Sequence, residues 1–457
     1  MSSDKTIKYI LSEDKIPTHW YNIEADLPIK TPAPFDAETG KPMELAKLEA
    51  IFSKGALEQE VSQERYIEIP EVVREIMRQW RPSPLFRARR LEKALGTPAR
   101  IYYKYEGVSP SGSHKTNSAL AQAYECKKCG VKKITTETGA GQWGSALSQA
   151  CCAFGIECKV FMVKCSFEQK PYRKAMMEIF GGKVVPSPSS ETAAGRAVLA
   201  KAPDCRGSLG IAISEAVEEA LLDENTKYCL GSVLNHVLMH QSVIGLEAIS
   251  QFELAGDYPD LVIGACGGGS NFAGLANPFL GEMLRGGKKV EILGIEPAAC
   301  PALTKGKYAF DYGDVAKMTP LMKMYTLGST FIPPAVHAGG LRYHGMAPQV
   351  SNIMNQGLMK AETVNQLDVF QKAIMFAQAE GITPALESSH AICAAINKAL
   401  ECKESGEEKC ILFNLSGHGH LDMAAYLDYF AGKLQNYEYP EEEIAMALSC
   451  LPSCGDK

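Results

Sequence analysis

Lys115 is the residue of this chain whose type is hardest to reconcile with its place. It follows His114 in "SGSHKTNSA", a run of small and hydroxylated residues that leads into a helical pattern. A helix N-terminus favours negative charge over an ammonium. Desolvation there favours the neutral amine, and a neutral lysine amine can attack an aldehyde to form a Schiff base. Taken alone, the segment would equally suit a solvated lysine in a first helical turn. A second stretch bears on the choice. "GACGGGSNFAG", residues 264–274, follows an apolar run, and its consecutive glycines free backbone N–H groups to converge on one anion. The dinucleotide pattern G-x-G-x-x-G, counted from Gly267, ends on Phe272, although Glu296 mimics its ribose-binding acid, and no G-K-[ST] of a Walker loop is present. A turn that merely packs strand on helix could also use glycine. Three adjacent glycines backed by Ser270 and Asn271 point instead to a phosphate. Together the two loops suggest a small phosphorylated cofactor with an aldehyde.

Something must bring those loops together. From about residue 100, short apolar runs alternate with longer helix-like segments, and "KITTETGAG", "ECKVFMVKC", "GKVVPSP", "DLVIGACGGGS", "VEILGIEP" and "CILFNLSGHG" are the strand candidates. This alternation predicts an α/β fold of mostly parallel sheets. In such sheets ligands bind at loops following the carboxyl ends of strands, so the loops after residues 136, 263 and 415 are expected to converge. Upstream, "YIEIPEVVREIMRQWRPSPLFRARRLEKALG" reads as mainly helical, broken at Pro82 and Pro84, and suited to packing and a subunit contact. The terminal "SCLPSCGDK" reads as a frayed tail.

The 457 residues suffice for two or three domains. A net charge of -6 argues against a general binder of nucleic acid or anionic membrane. The first residues mix charges among apolar ones, no apolar run is long enough to span a bilayer, and the expectation is a cytoplasmic protein. Fifteen cysteines in a chain without an export signal read as reduced thiols. Cys126 and Cys129 form a C-x-x-C, but without a second ligand pair at zinc-finger distance and inside a helical pattern, so no metal is expected there.

"RPSPLFRARRLEKALG", "YKYEGVSPSGSHKTN", "ETGAGQWG", "EQKPYRKAMMEIFGGKVV", "HQSVIGLEA", "GACGGGSN", "TPALESSHA" and "NLSGHG" occur in the order and spacing of the tryptophan synthase beta chains. Over residues 81–420 the chain resembles this family of fold-type II pyridoxal-phosphate enzymes. Its longer N-terminal region and "AGGLRYHG" resemble the second, distantly related class. The resemblance implies two open, mostly parallel twisted sheets flanked by helices. It divides the chain into an N-terminal extension (1–80), a domain with the cofactor lysine and substrate loop (81–235), and a domain with the phosphate loop (236–457). It implies that Lys115 forms the Schiff base and that His114 contacts the cofactor phosphate. Asn117 would lie among the cofactor contacts, and Gly267, Gly268, Gly269, Ser270 and Asn271 would cradle the phosphate. Ser416 would face the pyridine nitrogen, where a neutral hydroxyl leaves that nitrogen largely unprotonated and suits β-elimination and β-replacement. Glu387 matches a cofactor-proximal acid that could equally be structural.

The same resemblance implies that Thr138, Gly139, Ala140, Gly141, Gln142 and Trp143 bind the substrate carboxylate through backbone N–H groups. Glu137, heading that loop, would assist loss of the leaving group and accept the indole N–H as C3 attacks the aminoacrylate. Two positions depart from the common class. Trp143 replaces a histidine, and Arg342 stands in place of an aspartate that receives the serine hydroxyl. A guanidinium matches a phosphate, so O-phosphoserine rather than serine is expected as donor, with His344 assisting. The family also uses a monovalent cation held by backbone carbonyls. The expected assembly is a homodimer, and the altered N-terminal region leaves open whether an alpha chain delivers indole. Two rivals stand beside tryptophan synthesis: a serine or threonine deaminase, and a cofactor-binding regulatory protein without turnover. Glu137 argues against the first, and Lys115, Glu137 and Ser416 together against the second.

Overall fold

A computed structural model describes residues 5–452 apart from Glu38 and Glu438. Two sheets carry the architecture. The larger has seven strands in the order Lys8–Tyr9, Leu85–Arg87, Arg100–Tyr105, Cys410–Leu415, Leu261–Ala265, Glu291–Pro297 and Lys360–Val364. Its first two pairings are antiparallel and the rest parallel. The smaller sheet orders Lys183–Ser187, Glu157–Val163, Lys133–Thr138 and Thr226–Tyr228, all parallel. Central strands such as Leu261–Ala265 and Cys410–Leu415 are buried on both faces, which is why they read as continuous apolar runs rather than alternating ones.

All six expected strands form, and helices follow most of them. The α/β expectation of two mostly parallel sheets with flanking helices holds. Residues 81–235 contribute strands to both sheets, because Leu85–Arg87 and Arg100–Tyr105 pair within the larger one. The upstream segment departs from its mainly helical reading. Tyr66–Glu68 and Leu85–Arg87 are strands flanking the helices Glu71–Met77 and Arg89–Leu95, since edge pairing with His19–Tyr21 and Arg100–Tyr105 supplies hydrogen bonds that local propensity does not foresee. The expected tail at 449–457 lies partly outside the described residues, and the helix Glu441–Ser449 runs up to it. Ten of the described cysteines are buried and all of these thiols are free; Cys126 is buried beside Cys229, while Cys129 ends its helix in solvent.

Both sheets aim the carboxyl ends of their parallel strands at a common cleft. The helix Thr116–Lys128 begins there after the strand Arg100–Tyr105. The helix Gln142–Phe154 begins there after Lys133–Thr138, and Ser270–Leu284 after Leu261–Ala265. Three loops that the sequence spreads between residues 105 and 270 thereby become neighbours.

Candidate active site

Lys115 caps the N-terminus of the helix Thr116–Lys128 and donates from Nζ to the Gly231 carbonyl at 3.0 Å. Burial pushes its ammonium down to about 8, against the opposing pull of Glu137 and Glu387. The placement that looked awkward in sequence therefore yields an amine partly neutral near physiological pH.

A polar cavity of about 60 Å³ opens beside Lys115. Gly267, Gly268, Gly269, Ser270 and Asn271 line one end, at the N-terminus of Ser270–Leu284, and Glu387 and Ser416 line the wall as well. His114 spans these parts: Nε2 lies 3.2 Å from Ser270 Oγ, and its backbone N–H donates to the Ser416 carbonyl at 2.8 Å. Burial holds the His114 imidazolium well below its ordinary range, so the ring is neutral. Ser416 Oγ is 2.8 Å from Ser388 Oγ, so its hydroxyl is paired with another neutral hydroxyl.

The second cavity, of about 150 Å³, also reaches Lys115 but is mostly apolar. Glu137, Thr138, Gly139, Ala140, Gln142 and Trp143 line it together with Tyr228, Leu230 and Tyr343. Gly141, at a φ of 98°, starts the helix Gln142–Phe154, and the Thr138 hydroxyl accepts the Gly144 N–H at 3.1 Å, so the loop is capped at both ends. Glu137 is buried, and burial raises its carboxyl to about 7 despite the lowering effect of the Tyr228 hydroxyl and Lys115. Trp143 donates from Nε1 to Thr136 Oγ1 at 2.7 Å. Gln142 donates to Glu387 Oε2 at 2.8 Å, while the Gly340 N–H donates to Oε1 at 2.9 Å, so Glu387 ties the loop after Glu137 to the opposite wall.

Four expected residues line neither cavity, and the first, Gly141, only turns the chain into its helix. Asn117 lies on the helix Thr116–Lys128 and turns into a buried network, accepting from Arg81 Nε (3.0 Å) and donating to Glu106 and Gln241. Arg342 is buried behind Gly339 and Ala140, donating to Ser166 Oγ (2.7 Å) and Cys165 Sγ (3.3 Å), and makes no ion pair among the described residues. His344, the expected assistant of Arg342, has Nε2 at 2.9 Å from the Tyr312 carbonyl, away from both cavities. Beside Lys115, the basic residue lining the polar cavity is Arg173, a fully buried guanidinium with no hydrogen bond on any nitrogen among the described residues and Asp422 at 3.7 Å. Sequence reasoning quoted the stretch holding Arg173 without giving it a role. Tyr228 and Tyr343 were missed as well; a tyrosine closing the strand before the small-residue run "CLGS" was the available signal.

The chain matches the family of pyridoxal-phosphate dependent enzymes over residues 76–417. Tryptophan synthase beta chain 2 of Methanosarcina mazei is 58% identical over 94% of this chain and 97% of its own length. That of Thermotoga maritima is 58% identical over 91% and 99%, and the tryptophan synthase beta chain of Pyrococcus horikoshii 55% over 96% and 96%. This chain belongs to the tryptophan synthase beta chain family. Among solved structures, a T.th. threonine deaminase shares the fold at a TM-score of 0.54 and 19% identity, covering 77% of this chain and 98% of its own.

A family member needs a seat for pyridoxal phosphate, and the polar cavity fits one. The loop packs so closely that a Cβ at Gly267 would overlap the Gly340 carbonyl oxygen and one at Gly268 would come within 2.5 Å of Ser232 Oγ, and this packing sets the N-terminus of Ser270–Leu284, with its unsatisfied N–H groups, against the cavity. The cofactor of this tryptophan synthase beta chain relative is pyridoxal phosphate. Among the described residues no group of three His, Cys, Asp or Glu side chains is placed to hold a metal ion, and no helix is long and apolar enough to cross a membrane.

Proposed function

We propose that this enzyme makes L-tryptophan by replacing the β-substituent of a serine-type donor with indole. The observation that carries the reading is the meeting, at Lys115 and Gln142, of a glycine-lined polar cavity and a separate apolar cavity with one buried carboxylate, Glu137. Bound pyridoxal phosphate supplies an electron sink that labilises the donor's Cα proton and β-substituent. Lys115, with its amine near neutrality, holds the cofactor and carries the proton at Cα. Backbone N–H groups of residues 138–143 orient the donor carboxylate. Glu137 assists departure of the β-substituent and then accepts the N1 proton of indole as a hydrogen bond. The apolar walls from Leu230, Tyr228 and Tyr343 favour a bicyclic ring over water, which supports synthesis against the deaminase reading.

The donor is O-phosphoserine in this reading. Three buried cations surround the substrate loop: Arg173 packs against Gly141, Arg342 lies behind Ala140, and Lys170 shares Asp422 with Arg173. Asp422 neutralises only part of that charge, at 2.6 Å from Lys170. A donor phosphate would supply the missing anion. The assembly we infer is a symmetric homodimer receiving free indole, in the cytoplasm; added alpha chain is then expected to leave the rate unchanged. The deciding assay mixes protein, pyridoxal phosphate, indole and either serine or O-phosphoserine, and measures tryptophan and keto acid. Keto acid as the main product would overturn the synthase reading; a preference for serine would overturn only the donor.

A further inference from the structure

Glu137 has two carboxylate oxygens in different circumstances. Oε2 accepts the Tyr228 hydroxyl at 2.5 Å and lies 3.5 Å from Thr136 Oγ1. Oε1 accepts from no other side chain among the described residues, and Glu137 lines the apolar cavity. The register explains the contact. Tyr228 pairs with Thr135 across parallel strands, so Glu137, two residues further on, emerges on the same face and diagonally beside the tyrosine ring.

Tyr228 is itself held from outside the sheet. Its N–H donates to the Ile51 carbonyl at 2.8 Å, and its ring packs against Phe52 at 5.7 Å between centroids. Both partners belong to the N-terminal extension, whose Leu48, Ile51, Phe52 and Leu57 also wall the apolar cavity. Thr136 is fixed separately, donating to the Cys229 carbonyl and accepting from Trp143.

We propose that Tyr228 is a positioning residue: its hydroxyl pins Oε2 of Glu137 so that Oε1 is presented to the acceptor, and Ile51 and Phe52 seat the tyrosine. The proposal rests on the reading of Glu137 as the group that meets indole. It gives the N-terminal extension a part in the chemistry as well as in the cavity wall. The titratable groups facing Glu137 are Tyr228 and Cys229 from the neighbouring strand and its loop, Lys115 from the helix N-terminus, and Tyr343 from the segment after Gly339–Leu341. Burial holds Tyr228 and Tyr343 above their ordinary values, the hydrogen bond with Cys126 and then burial do the same for Cys229, and Lys115 titrates on the alkaline side, so an acid limb of the rate profile belongs to Glu137.

The experiment compares holoenzyme pH–rate profiles of wild type, Tyr228→Phe, Glu137→Gln and the double variant, with the cofactor's absorption spectrum as a check on the fold. Loss of the hydroxyl removes a bond that favours the carboxylate, so the acid limb of Tyr228→Phe is expected to move up by about one pH unit. In the Glu137→Gln background the same change is expected to alter the rate less than about twofold, because the coupling partner is gone. A uniform fall at every pH, or an equal fall with and without Glu137, overturns the proposal. Wild-type rates in Glu137→Gln alone overturn the underlying reading instead. Should Tyr228→Phe not fold, 3-fluorotyrosine at position 228 strengthens the donor and moves the limb down; an unmoved limb defeats the proposal equally.

Discussion

Gln142 donates from its side-chain amide to Glu387 at 2.8 Å, and this bond joins the loop of the smaller sheet to a helix start in the larger one. Because Glu387 also receives the Gly340 N–H, removing it strands the buried Gln142 amide and releases the exposed Gly340 backbone at the same time. Glu387→Ala is therefore expected to raise the donor KM about tenfold or more while the Lys115–cofactor absorption persists. Steady-state kinetics with donor varied at saturating indole measures it.

Lys115→Ala is expected to abolish the visible absorption of the lysine-bound cofactor and nearly all turnover, as the other described lysines are not placed between the two cavities. In the wild type, reconstitution of cofactor-free protein should accelerate as pH rises through about 8, where the buried ammonium loses its proton. An absorption band surviving in the variant would show that another amine holds the cofactor.

Glu137→Gln should keep the cofactor and lose roughly 10²–10⁴-fold in tryptophan formation, the usual worth of a placed proton-transfer group. Wild-type activity should fall below about pH 7, as the carboxyl takes up its proton. The stability signature has the opposite slope. A carboxyl raised from 4.5 to about 7 on folding binds more protons in the native state across that window, so it stabilises at low pH and that contribution is lost as pH rises through 7. Unfolding midpoints of wild type and Glu137→Gln, followed through that range, should differ in slope accordingly.

Gly267→Ala puts a methyl group against the Gly340 carbonyl, which is backbone and cannot swing aside. The cofactor-free protein is therefore expected to lose thermal stability, and pyridoxal-phosphate affinity to drop by at least about tenfold as the loop shifts. Equilibrium dialysis and thermal unfolding separate the two effects.

Arg342→Ala tests the donor. Arg342 stands behind Ala140 and lines neither cavity, so it acts through its charge, and the ratio of kcat/KM for O-phosphoserine over serine should fall by less than the roughly 10- to 150-fold that a direct charge-assisted contact of about 1.5–3 kcal/mol would give. Arg173→Lys, which keeps the charge but not the fork, should reduce the same ratio if the phosphate reaches the polar cavity wall. An unchanged ratio in both variants would remove the cations from donor selection.

Local chemistry is what the sequence by itself determined. A lysine after a histidine at a helix start, a glycine run behind an apolar strand, and an acid heading a glycine loop each carry their meaning within about ten residues, and each lies on a cavity wall. The central strands, such as Leu261–Ala265 and Cys410–Leu415, were legible because doubly buried parallel strands are written as apolar runs. Tertiary structure alone decided the rest. Asn117 and Arg342 sit in promising motifs yet turn into other networks, while Arg173, Tyr228 and the Leu48–Leu57 wall enter the site from segments without a chemical signature. The physical reason is that a side chain's direction depends on which distant elements pack against its own. Tyr228 meets Glu137 across 91 residues and Gln142 meets Glu387 across 245, separations at which spacing in the chain says nothing about distance in space.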